Sequence, residues 1–351
     1  MNPISQRKDD HLDLTLQQNP LQDPFEEIRF IHHSLPQLSA ADISLKTHWA
    51  GSDHASPLYI NAMTGGSQRS RYYNQELARI AALCQIPMAV GSVSAAIKDP
   101  SLSDSYQVIR KVNPDGFILA NIGANHDAKA AQVAIDLLEA DALQIHLNAP
   151  QEVVMPEGDR DFSQWMDHIQ AIVESVSVPV IAKEVGFGMS RKTIQSLIQL
   201  GVQTIDLSGR GGTNFIQVEN SRRTDLDFQT LSHWGQTTPE SLLESLAFQD
   251  QVEILASGGI RHFYDHLKAL ALGAKACGIA GPIIKTLDQL GPQKALEWLQ
   301  AWLESLKASF LILGVKDLSH LQKTDLLLSG SLLEWAQVRQ VDYQALSRRS
   351  E

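Results

Sequence analysis

The sequence predicts an α/β fold, a (β/α)8 TIM barrel with an N-terminal arm and a C-terminal helical extension. Three observations carry this. From Pro57 to about Leu287, short β-branched runs alternate with amphipathic stretches, as parallel strands joined by crossover helices do. The runs number eight, and with the stretches between them they occupy about 230 residues, near the usual span of such a barrel. The residues that follow the runs are polar and glycine-rich, and a barrel builds its active face from the segments after its strands. An open doubly wound sheet is the competing architecture.

In chain order, residues 1–56 read as an arm and lid region. The charged stretch Arg7-Lys8-Asp9-Asp10-His11 is followed by turn residues at Asn19-Pro20 and Asp23-Pro24. Residues 57–287 form the barrel, with strands expected near Leu58-Ala62, Pro87-Gly91, Gly116-Asn121, Ala142-Leu147, Val178-Lys183, Thr204-Ser208, Val252-Ala256 and Ala276-Ala280. The stretches between them space apolar residues by three and four, as at Ala131, Ile135 and Leu138 or at Ile194, Leu197 and Ile198. Residues 288–351 read as a helical extension. A long helix expected from Pro282 to about Ser309 carries Leu296, Leu299 and Leu303 on one stripe, for packing on the barrel or on another copy.

Composition narrows the function classes. The 351 residues are 43% hydrophobic and 20% charged, the balance of a globular chain with an ample core. Lys and Arg total 29 against 40 Asp and Glu, a net charge of −11. Nothing global therefore draws the chain to nucleic acid or an anionic membrane, and an anionic substrate must be held by local cations. Cys84 and Cys277 sit in apolar runs, where a small buried hydrophobe is expected rather than a nucleophile. The N-terminal stretch lacks the apolar core of a signal peptide, and no apolar run approaches the roughly 20 residues that cross a bilayer. A cytoplasmic protein in a reducing compartment is the expectation.

The strand ends carry the candidate chemistry. Loops after the seventh and eighth strands of a barrel often bind phosphate through backbone N–H groups, and Gly258, Gly259, Ala280 and Gly281 suit such a cup. Tight turns alone would use the same residues. Thr213, after Gly211-Gly212, adds a hydroxyl to the cup or caps a helix. Lys183 closes the apolar run Val178-Pro179-Val180-Ile181-Ala182, where an ammonium needs an anion. It fits a Schiff-base nucleophile, a fixed cation beside a cofactor ring, or a structural pair with Glu184 or Asp206. Alternation places Gln144, His146 and Asn148 on one face, a polar pocket in the making. Glu152 is a single carboxylate, enough for Mg2+ when substrate phosphates and waters complete the shell. Arg7, Lys8 and His11 are a solvated arm, or a diphosphate clamp if the arm folds over the barrel mouth. His32, His33, His126, His168 and His262 lack comparable companions and read as surface or structural.

At these residues the chain resembles the type 2, FMN-dependent isopentenyl-diphosphate delta-isomerases, over essentially its whole length. The arm Arg-Lys-Asp-Asp-His, Asn-Ala-Met-Thr-Gly-Gly at 61–66, His-Leu-Asn-Ala-Pro-Gln-Glu at 146–152 and Asp-Leu-Ser-Gly-Arg-Gly-Gly-Thr at 206–213 carry the likeness. Val-Gly-Ser at 90–92, Ala-Asn-Ile-Gly at 120–123, Lys-Glu-Val-Gly at 183–186 and Ser-Gly-Gly-Ile-Arg at 257–261 are features shared more widely among flavin barrels. The resemblance implies that Ala62, Met63, Thr64, Ser92, Asn121, Lys183, Ser208, Thr213, Gly258, Gly259, Ala280 and Gly281 hold FMN. It implies that Arg7, Lys8, His11, His146, Asn148 and Gln151 surround the substrate, and that Glu152 presents Mg2+ to its diphosphate. Lys183 and Gln151 are the implied catalytic side chains, with reduced FMN as acid and base.

The implied reaction adds a proton to the terminal methylene of isopentenyl diphosphate and removes one from the adjacent allylic position. NAD(P)H serves only to reduce the flavin initially, and a homotetramer or homo-octamer is implied. The chain departs from the pattern at Val93-Ser94, where many relatives carry Gln-Arg; Lys98 lies nearby in sequence. Competing readings remain. An FMN-dependent 2-hydroxy-acid oxidase needs a histidine around the Ser208 loop, which has none, and a nucleotide dehydrogenase needs a loop cysteine. A Schiff-base aldolase would be trapped at Lys183, and a flavin- or phosphate-binding module would bind without turnover.

Overall fold

The computed structural model describes residues 3–18, 23–63 and 65–350. Among them, eight parallel strands close a barrel: β1 (Leu58–Ile60), β2 (Met88–Ala89), β3 (Ile118–Gly123), β4 (Ala142–Leu147), β5 (Val180–Glu184), β6 (Thr204–Asp206), β7 (Glu253–Ser257) and β8 (Ala276–Ile279). Each pairs with the next, and β8 returns to β1 through Cys277↔Leu58 and Gly278↔Tyr59. Every expected run overlaps one of these strands. Both faces of the strands are covered, the outer one by helices, so the runs are apolar rather than alternating at most positions.

The amino end of the barrel is plugged by a hairpin, Thr47–Trp49 with Ser52–His54. Its two-residue turn, Ala50-Gly51, has positive φ at both positions (47° and 69°), the geometry whose twist matches that of the flanking strands. The turn delivers Trp49, fully buried, against Tyr59 and Phe117. Burying an aromatic of this size removes about 150–250 Å2 from water, and the plug leaves the opposite, carboxyl end of the strands as the mouth.

The surrounding helices start at polar caps: Ser67 accepts from Ser70 N–H, Asp127 from Ala130 N–H and Ser190 from Thr193 N–H, while Thr237 and Glu240 form a reciprocal capping box. Each such cap contributes about 1 kcal/mol. The helix expected from Pro282 to about Ser309 is instead two helices, Gly281–Leu290 and Pro292–Leu313. Gly291 at φ +81° followed by Pro292, which has no N–H to donate, breaks the ladder between them. The second helix buries Leu299, with Leu296 and Leu303 half-buried beside it, and Trp302 donates its indole N–H to His266 Nδ1 at 3.1 Å. Farther along, Leu326–Leu328 pairs antiparallel with Ile28–Phe30 and ties the extension to the region before the barrel.

The arm is a helix, Pro3–Gln17, an element that the sequence reading did not assign to it. Leu12 is buried and Leu16 packs one turn later on the same face. The Asn19-Pro20 turn lies outside the described residues. At the Asp23-Pro24 turn, Asp23 accepts from Phe25 N–H at 2.8 Å. Cys277 is buried and Cys84 partly so; burial raises both thiol pKa values, that of Cys84 to about 11, so neither is a thiolate at neutral pH. No helix among the described residues is long and apolar enough to cross a membrane.

Candidate active site

Parallel register sets Gly123, His146, Lys183 and Asp206 abreast on β3, β4, β5 and β6, near the strands' carboxyl ends. On β4, Leu143 and Ile145 pack outward among the helices, which turns Gln144 and His146 inward. A ladder of amides follows. His146 Nδ1 lies 2.8 Å from Asn121 Oδ1, and Asn121 Nδ2 donates to Gln144 Oε1 at 3.1 Å. Gln144 Nε2 donates to Asn61 Oδ1 at 3.3 Å, and Asn61 Nδ2 to Asp206 Oδ2 at 2.9 Å. Tyr59 and Ser257 hydroxyls also donate to Asp206, each at 2.7 Å. Because Asn121 Oδ1 only accepts, the His146 proton sits on Nδ1 and Nε2 is left as an acceptor. Enclosure, reinforced by the charges of Lys183 and Lys8, lowers the imidazole pKa to about 3, so His146 is neutral.

Above this ladder opens a cavity of about 440 Å3. It brings together every residue that the resemblance assigns to cofactor, substrate or metal except Thr64, which lies outside the described residues. Ala62, Met63, Ser92, Asn121, Lys183, Ser208, Thr213, Gly258, Gly259, Ala280 and Gly281 line one part. Arg7, Lys8, His11, His146, Asn148, Gln151 and Glu152 line the other.

Lys183 is buried, and its ammonium donates to the backbone oxygen of Glu184 at 2.9 Å. Glu184 turns its carboxyl back onto Val185 and Phe187 N–H, each at 2.6 Å, so the expected structural pair is no salt bridge among the described residues. Burial lowers the Lys183 pKa while the charges of Asp206 and Glu184 oppose it. What remains is a buried amino group at the cavity with no carboxylate salt bridge among the described residues, a place for an anion.

The glycine loops serve two purposes. A Cβ on Gly258, which has φ +83°, would meet Gly209 O at 2.0 Å, so this glycine allows the loops after β6 and β7 to touch. A Cβ on Gly281 would meet nothing within 4 Å, so that glycine borders free space at the start of helix Gly281–Leu290, where the first N–H groups of a helix have no partner within it. Thr213 is not a cap, since Asn214 caps the next helix by accepting from Gln217 N–H. Ser208 stands at φ +37°, a strained conformation for a residue with a Cβ, held by Gly186 and Gly188 N–H on its carbonyl.

The arm lies across the mouth and is fastened on both sides. Toward the loop after β1, Ser5 donates to Gly66 O, Ser67 to Asp9 and Arg69 to Asp13. Toward the loop after β6, Gln18 exchanges two hydrogen bonds with the Asn214 backbone, at 2.8 and 3.0 Å. Glu219 is fully buried beneath it. His11 Nε2 lies 3.0 Å from its Oε1, Gln151 Nε2 donates to the same oxygen at 2.8 Å, and Arg222 donates to Oε2 at 2.5 Å. Burial would raise this carboxyl, but the contacts from His11, Gln151 and Arg222 outweigh it and lower the pKa to about 2. Asn148 Nδ2 and Asp159 N–H hold the two oxygens of Glu152 at 2.8 and 2.9 Å.

Residues 117–328 match the FMN-dependent dehydrogenase family. An isopentenyl-diphosphate delta-isomerase of Latilactobacillus sakei subsp. sakei is 51% identical over 337 residues, covering 95% of this chain and 96% of the relative. One of Listeria innocua is 47% identical over 346 residues, covering 98% and 97%. The chain belongs to the isopentenyl-diphosphate delta-isomerase family. With its FMN-dependent domain, it is a type 2, flavin-using isomerase of that family. Solved structures of similar shape include a mandelate oxidase variant with a monooxide FMN adduct (TM-score 0.64, 18% identity, 91% of this chain and 92% of that one). A flavocytochrome b2 variant gives a TM-score of 0.66 at 18% identity, over 94% and 80%. At such identities they show the barrel alone.

Sequence reasoning missed two groups at or beside this cavity. His126 lines the cavity and shares a 2.7 Å hydrogen bond with Ser94 Oγ; burial and then Lys98 lower its pKa. The signal was its place in the loop just after β3, which marked it off from the other lone histidines. Glu219 carried no such signal, because only the folded chain brings it to Gln151 and His11. Lys98 is exposed but lines the same cavity, next to the Val93-Ser94 departure.

Proposed function

We propose that this isomerase interconverts isopentenyl diphosphate and dimethylallyl diphosphate by a 1,3-allylic proton shift, with reduced FMN and Mg2+ in the cavity. One observation carries the reading: one cavity at the barrel mouth joins a glycine-lined, lysine-bearing half to a half crowned by the cations of the arm. FMN fits the first half, where Gly281 leaves room at a helix N-terminus and Lys183 lacks an anion. Gly258, Gly259, Ala280, Gly281, Ser208 and Thr213 would hold its phosphate end, and Ala62, Met63, Thr64, Ser92, Asn121 and Lys183 its ring. Bound and reduced, FMN supplies an electron-rich surface and exchangeable protons beside the alkene.

The chain's own residues do the rest. Arg7, Lys8 and His11 supply cationic and hydrogen-bonding donors to the diphosphate, while His146 and Asn148 border it from below. Glu152 is aimed by Asn148 and Asp159 N–H and retains lone pairs for Mg2+, whose other ligands are diphosphate oxygens and water. Glu219 fixes the amide of Gln151 and so fixes which polar atom that side chain presents. The arm excludes water, which strengthens every charge interaction around a cation-like transition state. One proton is gained and one lost, so no net oxidation occurs and NAD(P)H is needed only to reduce the flavin. A cytoplasmic homotetramer or homo-octamer belongs to the same reading. The test is incubation of purified protein with FMN, Mg2+, a reductant and isopentenyl diphosphate. Conversion supports the reading; folded, flavin-loaded protein that leaves the substrate unchanged contradicts it and leaves a binding module.

A further inference from the structure

A second cluster lies outside the cavity, at the start of helix Phe263–Ala271. One ligand atom from each of Asp23, His262 and Asp265 lies within 4.8 Å of the others. Asp265 is fully buried. Its Oδ2 accepts from Arg261 N–H at 3.0 Å, whereas its Oδ1 has no hydrogen-bond partner among the described residues and faces His262 Nδ1 at 3.5 Å. An orphaned carboxylate oxygen in the interior is costly and calls for a positive or donating ligand. Lys268 does not supply it, since its ammonium donates to Phe25 O at 2.7 Å and lies over the Tyr264 ring. Asp23 spends one oxygen on Phe25 N–H, and its other oxygen carries none of the described hydrogen bonds.

We propose that Asp23, His262 and Asp265 form a binding site for a divalent transition cation of the Zn2+ or Mn2+ class, separate from the Mg2+ expected at Glu152. Two carboxylates and an imidazole are a donor set for such ions, and three protein ligands leave outward positions for water. The present spacing is wider than a cation with ligands at about 2.1 Å requires. The two outer side chains, Asp23 and His262, move inward while the buried Asp265 stays fixed. His262 Nδ1 now accepts a long 3.3 Å bond from Asp265 N–H, which the cation replaces.

The site has a structural consequence. A Cβ on either Gly211 or Gly259 would lie 2.7 Å from Pro24 Cγ, so the Pro24 ring rests on two glycines that line the cavity. A cation on Asp23 pins that ring in place. The proposal stands independently of the isomerase reading.

The test is calorimetric titration of chelator-stripped, full-length protein with Zn2+. The expected result is a site that persists in Glu152→Gln and weakens by about tenfold or more in both His262→Ala and Asp23→Asn. His262 is exposed and Asp23 half-buried, and circular dichroism of both variants checks that the fold is kept, so they decide the matter even if Asp265→Asn does not fold. Identical isotherms for the wild type, His262→Ala and Asp23→Asn would overturn the proposal. So would Zn2+-soaked crystals with no anomalous peak among the three residues. Either result would mean that a proton on Asp265, shared with His262 Nδ1, satisfies the lone oxygen.

Discussion

Nε2 of His11 lies 3.0 Å from Oε1 of Glu219, and this contact fastens the arm helix to helix Phe215–Asn220 beside the cavity. The same carboxylate oxygen accepts from Gln151, so arm position and the orientation of a candidate catalytic amide depend on one buried charge.

Replacing that charge tests the coupling. Glu219→Gln is expected to raise KM for isopentenyl diphosphate by about tenfold or more, because breaking a buried, hydrogen-bonded charge cluster costs about 3–5 kcal/mol when one partner is removed. The arm becomes a protease-sensitive segment while the barrel's circular dichroism is unchanged. In the wild type, the Glu219 pKa of about 2 lies below its ordinary 4.5. Its contribution to arm closure is therefore complete above pH 4.5 and is lost as pH falls toward 2. Limited proteolysis across that window reads the loss; an arm equally resistant in the variant and the wild type would contradict the coupling.

Lys8 gives an alkaline counterpart. Burial, and then the neighbouring charge of Arg7, lowers its pKa from 10.5 to about 8. Between those values the unfolded chain binds more protons than the folded one, so the substrate-free protein gains stability as pH rises through the window. Lys8→Met abolishes that gain, and the difference between the two denaturation series measures it. A bound diphosphate reverses the trend by favouring the ammonium, so wild-type substrate affinity falls as pH rises past about 8. At neutral pH, Lys8→Met raises KM by about tenfold, the loss of one charge-assisted contact.

Lys183 forms no salt bridge among the described residues, its ammonium donating to the Glu184 backbone oxygen, so Lys183→Met is expected to fold. Its kcat falls by about 10²–10³, the usual consequence of removing one fixed charge from an active site. Visible absorption and flavin release during purification show whether FMN binding weakens as well. Wild-type activity in this variant would remove Lys183 from the account.

Glu152→Gln retains a hydrogen-bond acceptor for Asn148 or Asp159 N–H but loses the charge for a hard cation. Half-maximal activity then needs about tenfold more Mg2+ or beyond, with flavin affinity unchanged. An unaltered Mg2+ dependence would place the metal elsewhere.

The barrel was legible because most strands are short apolar runs followed by polar or glycine residues, while β4 stands apart by the Gln144-His146 alternation that continues to Asn148 just past its end. The Gly291-Pro292 break was written in the sequence and was passed over because the leucine stripe continues across it. The helicity of the arm was hidden by its charge: only Leu12 and Leu16 mark an apolar face, and the contacts that hold the helix come from Gly66, Ser67, Asn214 and Glu219, far away in sequence. Lys183 and Glu152 stood out by local contrast. Glu219 had none, because its role exists only through the residues folding brings to it.

The most direct measurement is an anaerobic reaction of the enzyme, reduced once with a single equivalent of reductant, on excess isopentenyl diphosphate in D2O with Mg2+. The account predicts many turnovers to dimethylallyl diphosphate, deuterium entering the product, and no further reductant consumed. Product limited to the reductant supplied, or none from folded and flavin-loaded protein, would contradict it.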